Sequence, residues 1–149
     1  MNDVVTSQPE NQVPKWFAVI AWIAFVWNLM GVMAFVSQMM MTAEAIAQMP
    51  ENEQILYQNV PIWATLAFAF AVIGGALGSL LMALKKSLAV PVLILSLIGV
   101  LVQMYHVFFI INSVAVYGPG SAVMPGMVII ISILLVFFAN KAKSSGWLS

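Results

Sequence analysis

Four long runs of apolar residues, separated by short polar breaks, dominate the pattern along this chain. The first extends from Trp16 to Met41 and is interrupted only by Asn28, Ser37 and Gln38. The second runs from Pro61 to Leu84, the third from Leu88 to about Asn112, and the fourth from about Ala122 to Asn140. None of them contains Asp, Glu, Lys or Arg. Each is long enough to cross a hydrocarbon layer of about 30 Å at 1.5 Å per helical residue, and the first exceeds it, so tilt or protrusion is expected there. Only helices and closed barrels satisfy their backbone groups in lipid, and unbroken apolar runs of this length predict helices. The pattern therefore predicts an all-α membrane protein, a four-helix up-and-down bundle with helices over about 16–41, 61–84, 88–112 and 122–140.

The breaks support this reading. Pro61 and Pro125 sit at or near helix starts, where a missing N–H costs little, and Pro91 falls in the first turn of the third helix. Lys85-Lys86-Ser87 is so short a turn that the second and third helices must form an antiparallel hairpin. Gly118-Pro119-Gly120 marks a turn before the fourth. The segment Thr42–Val60 is the only sizeable extramembrane piece inside the 15–143 domain. Thr42 is placed to cap a turn containing Glu44, and Pro50-Glu51-Asn52-Glu53 has the proline and early carboxylates of a helix start. Two short interfacial helices are expected, with Ile46, Met49, Ile55 and Leu56 against the membrane or the bundle top. Residues 1–14, polar with two prolines, are expected to be a disordered tail, and 144–149 a second tail.

Charge fixes an orientation. The five basic residues are all lysines: Lys15 before the first run, Lys85 and Lys86 between the second and third, Lys141 and Lys143 after the fourth. The other two loops have none. The positive-inside rule then places both termini and the turn between the second and third helices in the cytoplasm. Trp16, Trp63 and Tyr117 fall near the expected interfaces. Cleavage of the first run as a signal peptide is disfavoured, because its apolar stretch far exceeds a normal signal core.

Composition narrows the function classes. The chain of 149 residues is 63% hydrophobic and 7% charged, with zero formal net charge. With no basic block, nucleic acid is not an expected partner. With no cysteine, disulfides, thiolate metal sites and cysteine nucleophiles are excluded. No nucleotide loop, histidine pair for a metal or nucleophile elbow is present, so no cofactor, metal or catalytic residue is assigned and the protein is expected not to be an enzyme. Eleven methionines, several toward the outer face, read as flexible filler of apolar space, against a copper(I) alternative.

Two polar stripes remain. On the third helix Ser96, Gly99, Gln103, His106 and Ser113, with Ile110 between, follow three-four spacing along one side. On the first, Asn28, Gly31, Phe35 and Gln38 do the same. Polar side chains avoid lipid, so both stripes should face the bundle interior. Asn28, Gln38, Ser96, Gln103 and His106 thus define a candidate polar cavity, against the plainer reading that they hydrogen-bond one another between helices. His106, the sole histidine, is either a neutral imidazole bonded to Gln103, Asn28, Gln38 or a carbonyl, or a group with a ligand or proton-transfer role. On the second helix Ala67, Ala71, Gly74, Gly75, Gly78 and Ser79 form a small-residue ridge that lets another backbone approach closely. Packing inside the chain is favoured there over a homodimer seam.

The sequence resembles a family of small bacterial four-helix inner-membrane proteins whose activity is not established. Trp27-Asn28-Leu29-Met30-Gly31, the glycine-rich Phe70–Gly78 segment, Val102-Gln103-Met104-Tyr105-His106 and Tyr117-Gly118-Pro119 carry the resemblance, over about Pro14 to Ala142. Members are sometimes labelled sugar transporters, and the family implies no settled binding residues. A looser likeness to small four-helix proteins of the DoxX type is architectural. Two functions are expected on these grounds. One is a non-enzymatic accessory or interaction protein, with the lipid bilayer and a larger membrane protein or a second copy as partners. The other is an oligomeric transporter or binding protein for a small neutral polar solute such as a sugar, for which at least a dimer is expected.

Overall fold

A computed structural model describes residues 13–149; the expected tail over residues 1–14 lies almost wholly outside them. Four helices are long and apolar enough to cross a membrane. They are α1 (Lys15–Met39), α4 (Ile62–Ala83), α5 (Ala89–Tyr105, continued by a π-helical turn His106–Ile110) and α7 (Val123–Ser144, preceded by a 3₁₀ turn Pro119–Ala122). Between α1 and α4 lie two short helices, α2 (Ala43–Ala47) and α3 (Glu51–Gln54). A further short helix, α6 (Ser113–Tyr117), precedes the 3₁₀ turn. No strand occurs among the described residues. The molecule is an all-α four-helix membrane bundle.

Local chemistry sets the helix ends. Pro14, Pro50 and Pro61 are the N-cap residues of α1, α3 and α4. Pro91 and Pro125 are each the third residue of a helix, in the first turn, where proline is tolerated. Thr42 accepts a hydrogen bond from the Ala45 N–H at 3.2 Å and so caps α2. The fourth helix runs about one turn beyond the expected Asn140. Lys141 and Lys143 lie in its last turn, where cations oppose the exposed carbonyls. Lys85, in the left-handed region at φ 61°, reverses the chain between α4 and α5.

The third helix departs most from expectation. A regular helix through Asn112 is predicted, yet α-geometry stops at Tyr105. The Ile111 N–H then reaches back five residues to the His106 carbonyl at 2.9 Å, and Asn112 turns left-handed at φ 55°. The wider turn rotates the residues beyond it. Ile110, expected on the inward stripe, is 54% exposed, and Ser113 starts a separate helix.

Packing is sequential: α1 lies on α4, α4 on α5, and α5 on α7. The last pair, α7 and α1, meets at the lysine-bearing end. Phe17 stacks on Phe138 with ring centroids 5.3 Å apart, and Trp147 contacts Phe17 edge-on at 5.5 Å. Beneath these rings, Ala21, Met82, Leu93, Leu135 and Ala139 join a core drawn from all four helices. Toward the opposite, lysine-free end the hydrophobic cluster is small, Ala71, Val100 and Met104, and α1 and α7 share no extended contact. The bundle is closed at one end and open along one side toward the other.

Candidate functional site

The polar residues of the stripes separate into a paired group and a cavity group. In the paired group, Asn28 donates to the Ala24 carbonyl at 2.8 Å and to Ser79 Oγ on α4 at 3.0 Å. Ser96 on α5 donates to the Ala71 carbonyl at 2.6 Å. Small residues allow this. A Cβ on Gly75 would overlap Asn28 Oδ1, and one on Gly74 would lie 3.1 Å from Ser96 Cβ. A Cβ on Gly78 would lie 2.6 Å from the Leu93 side chain, and one on Gly99 2.8 Å from Ala67 O. Gly75, Gly78 and Ser79 are buried against α1 and α5 of the same chain.

The cavity group sits at the lysine-free end. Gln38, Gln103 and His106 line one cavity of about 310 Å³, with Thr65, Ser113 and Ser121 around them and Tyr57 and Tyr117 at its rim. His106 is 5% exposed, and its ring stands perpendicular to that of Trp63 at 5.3 Å. None of the described residues hydrogen-bonds the imidazole, so the expected bonds to Gln103, Asn28, Gln38 or a carbonyl are not formed. The π-turn begins at this residue. Ser113 is 7% exposed and its hydroxyl has no partner. Buried polar atoms without partners are uncommon in folded proteins and mark places where water or a ligand completes the bonding. Of the five predicted cavity residues, then, Gln38, Gln103 and His106 come together at this cavity, while Asn28 bonds to Ala24 and Ser79 and Ser96 to Ala71.

A second cavity, about 430 Å³, lies deeper. All four spanning helices line it, through residues such as Met30 and Ala34 of α1, Val72 of α4, Met104 of α5 and Val128 of α7. Its polar groups are Asn28, Gln103 and Ser132, and the Ser132 hydroxyl is already bonded to the Val128 carbonyl at 2.7 Å. Phe68, Gln103 and Pro125 border both cavities, so the two are stacked end to end with Gln103 at the junction. No carboxylate or lysine lines either one.

The loops supply what sequence reasoning missed. Tyr57 and Ser121, in turns, and Tyr117, the last residue of α6, also line the first cavity, and Trp63 packs edge-on against His106. Polar and aromatic residues flanking Gly118-Pro119-Gly120 were the available signal for Tyr117 and Ser121; nothing local marks Tyr57. Burial, the charge of Glu53 and the neighbouring Tyr57 together hold the Tyr117 phenol above its ordinary pKa. Glu44 and Glu53 do not line the cavity beside His106. Among the described residues no group of three metal-ligating acids or histidines occurs. Comparison with known proteins finds no matching family model, curated sequence or solved structure.

Proposed function

We infer that this chain is a bacterial inner-membrane binding protein for an uncharged polar group, held in the cavity at the lysine-free end. One observation carries the reading: Gln38, Gln103, His106 and the unpartnered Ser113 converge on a space of about 310 Å³ instead of bonding to one another. A purely structural polar stripe would be closed by direct hydrogen bonds, as Asn28 and Ser79 are. The lining carries amide, imidazole and hydroxyl groups but no formal charge, which suits hydroxyl, amide or ester functions better than an ion. With no carboxylate lining the cavity, His106 serves as a hydrogen-bonding group and not as one half of an acid–base pair. The lysine bias orients this end outward, so the cavity opens away from the cytoplasm.

The accessory reading draws on the rest of the bundle, where polar groups are paired and the core is apolar. Single cysteines separate the two, because the natural chain has none. With Gln103→Cys and His106→Cys in native membranes, a small polar impermeant thiol reagent added from outside is expected to label both. Asn28→Cys should react far more slowly. Lack of labelling at 103 and 106 would remove the binding site and leave the accessory reading.

A further inference from the structure

We propose that the occupant is an uncharged single-chain amphipath of the bilayer, its hydroxyl- or ester-bearing head in the first cavity and its hydrocarbon chain in the second. This rests on the reading of the first cavity as a binding site and adds what fills the space beneath it.

Three features carry the inference. The first is the order of polarity. Polar side chains without partners gather around the upper space, whereas the lower space, below Gln103, is walled mostly by aliphatic, methionine and aromatic side chains; its serine is bonded within its own helix and the amide of its Asn28 to Ala24 and Ser79. A ligand polar throughout would leave the lower cavity unfilled, and an apolar one would leave Gln103, His106 and Ser113 unpartnered. A molecule with both parts in this order matches both.

The second feature is access. The lower cavity lies where α1 and α7 part, and two residues on its walls, Met30 and Met124, are 57% and 55% exposed. Its mouth therefore faces hydrocarbon, not water. In a bilayer a side-opening apolar cleft is entered by chains, and van der Waals packing decides which chain stays.

The third is depth. Gln38, at the upper cavity, and Asn28, at the lower, are ten residues apart on one continuous helix, a rise of about 15 Å. That is about half of a hydrocarbon layer of about 30 Å, so the pair of spaces runs from the interface to the midplane as one leaflet's lipid does. The volumes, about 310 and 430 Å³, each lie in the range of small-ligand sites of about 300–1,000 Å³ and suit one head and one chain.

The test uses the full-length protein in phosphatidylcholine vesicles containing a monoacylglycerol with a photoactivatable diazirine near the end of its acyl chain. Adducts are mapped by peptide mass spectrometry. They are expected on Met30, Ala34, Met124 and Val128 and to fall roughly tenfold with excess unlabelled monoacylglycerol. Ala34→Trp, which fills the mouth from an exposed position, should reduce them similarly, and His106→Ala or Gln103→Leu should weaken the competition. The same diazirine on phosphatidylcholine should give no competed signal. Adducts spread equally over the cleft and the exposed back of α4, at Ile73 and Leu77, and unaffected by competitor would overturn the proposal. The binding-site reading fails separately, by absence of thiol labelling at Gln103→Cys. Labelling there that a water-soluble polyol blocks and monoacylglycerol does not would keep the site and reject the lipid.

Discussion

Asn28 of α1 and Ser79 of α4 are joined by a 3.0 Å hydrogen bond, and the Asn28 amide oxygen occupies the space that a side chain on Gly75 would need. Ser79 is fully buried, so the bond is shielded from water and keeps α1 in register on α4. Asn28→Ala should lower stability by about 1–3 kcal/mol, since it removes both bonds of the amide and leaves the buried Ser79 hydroxyl without that partner. Gly75→Ala should be as harmful in the natural chain, because the amide must move. In the Asn28→Ala background it should cost distinctly less. Unfolding of the two single variants and the double variant in mixed micelles measures this coupling, and simple additivity would count against the contact.

Glycines on different helices should respond in opposite ways. A Cβ on Gly99 would press on the α4 backbone at Ala67 O and Ala71 N, both 2.8 Å away, and backbone cannot swing aside. Gly99→Ala should therefore separate α4 from α5 and destabilise by about 1–3 kcal/mol, as overpacking does. Gly126, near the start of α7, has nothing within 4 Å of such a carbon. Gly126→Ala should be neutral or slightly stabilising, since alanine is the better helix former. Thermal unfolding of the two variants side by side tests the contrast.

Much of this architecture was legible in the sequence because lipid imposes simple rules. Runs without charge marked the four spans, and Thr42 and Pro50 announced the two small helices of the long loop. The π-turn at His106 was not legible, since apolar residues continue through Val107–Ile111 and periodicity alone extends a regular helix. Nor was the parting of α1 and α7. Outside its one polar stripe α1 is apolar on every side, so no other face declares which neighbour it lacks. The polar stripes were legible as stripes, but three-four spacing could not tell Asn28, which finds Ser79, from Gln38 and Gln103, which face the first cavity.

The roof of the first cavity should be sensitive to alkali. Tyr117 has a raised pKa from burial, from Glu53 and from Tyr57. A raised value means the folded state holds the phenolic proton more tightly than the unfolded chain does. Its contribution to stability is fully present below the ordinary value of 10.0 and is lost as pH rises above it through the folded value. Glu53→Gln removes one cause and should bring the Tyr117 titration down toward the ordinary value. Tyrosinate absorbance, with Tyr117→Phe to identify the transition, reads this directly. A titration unchanged by Glu53→Gln would show that the carboxylate does not reach the phenol.

At the lysine-bearing end, the segment after α7 acts as a clasp. Trp147 contacts both Trp16 and Phe17 edge-on at 5.5 Å, and Leu148 is buried in the four-helix core. The Ser149 N–H donates to the Lys85 carbonyl at 2.9 Å, and Ser149 O accepts from the Ser87 N–H at 2.9 Å, tying the segment to the α4–α5 turn. These contacts join α1, α7 and the hairpin at the end where α1 and α7 meet. Trp147→Ala should cost about 2–3 kcal/mol, somewhat under the usual range for a fully buried tryptophan because this one is half-buried. The cleft at the opposite end should also widen, because the aromatic contact is the pivot from which α1 and α7 diverge. Spin labels at Ala34→Cys and Val128→Cys, on facing walls of the cleft, would report a longer and broader distance distribution in the Trp147→Ala background. An unchanged distribution beside a lowered unfolding temperature would mean that the clasp stabilises the bundle without setting the opening.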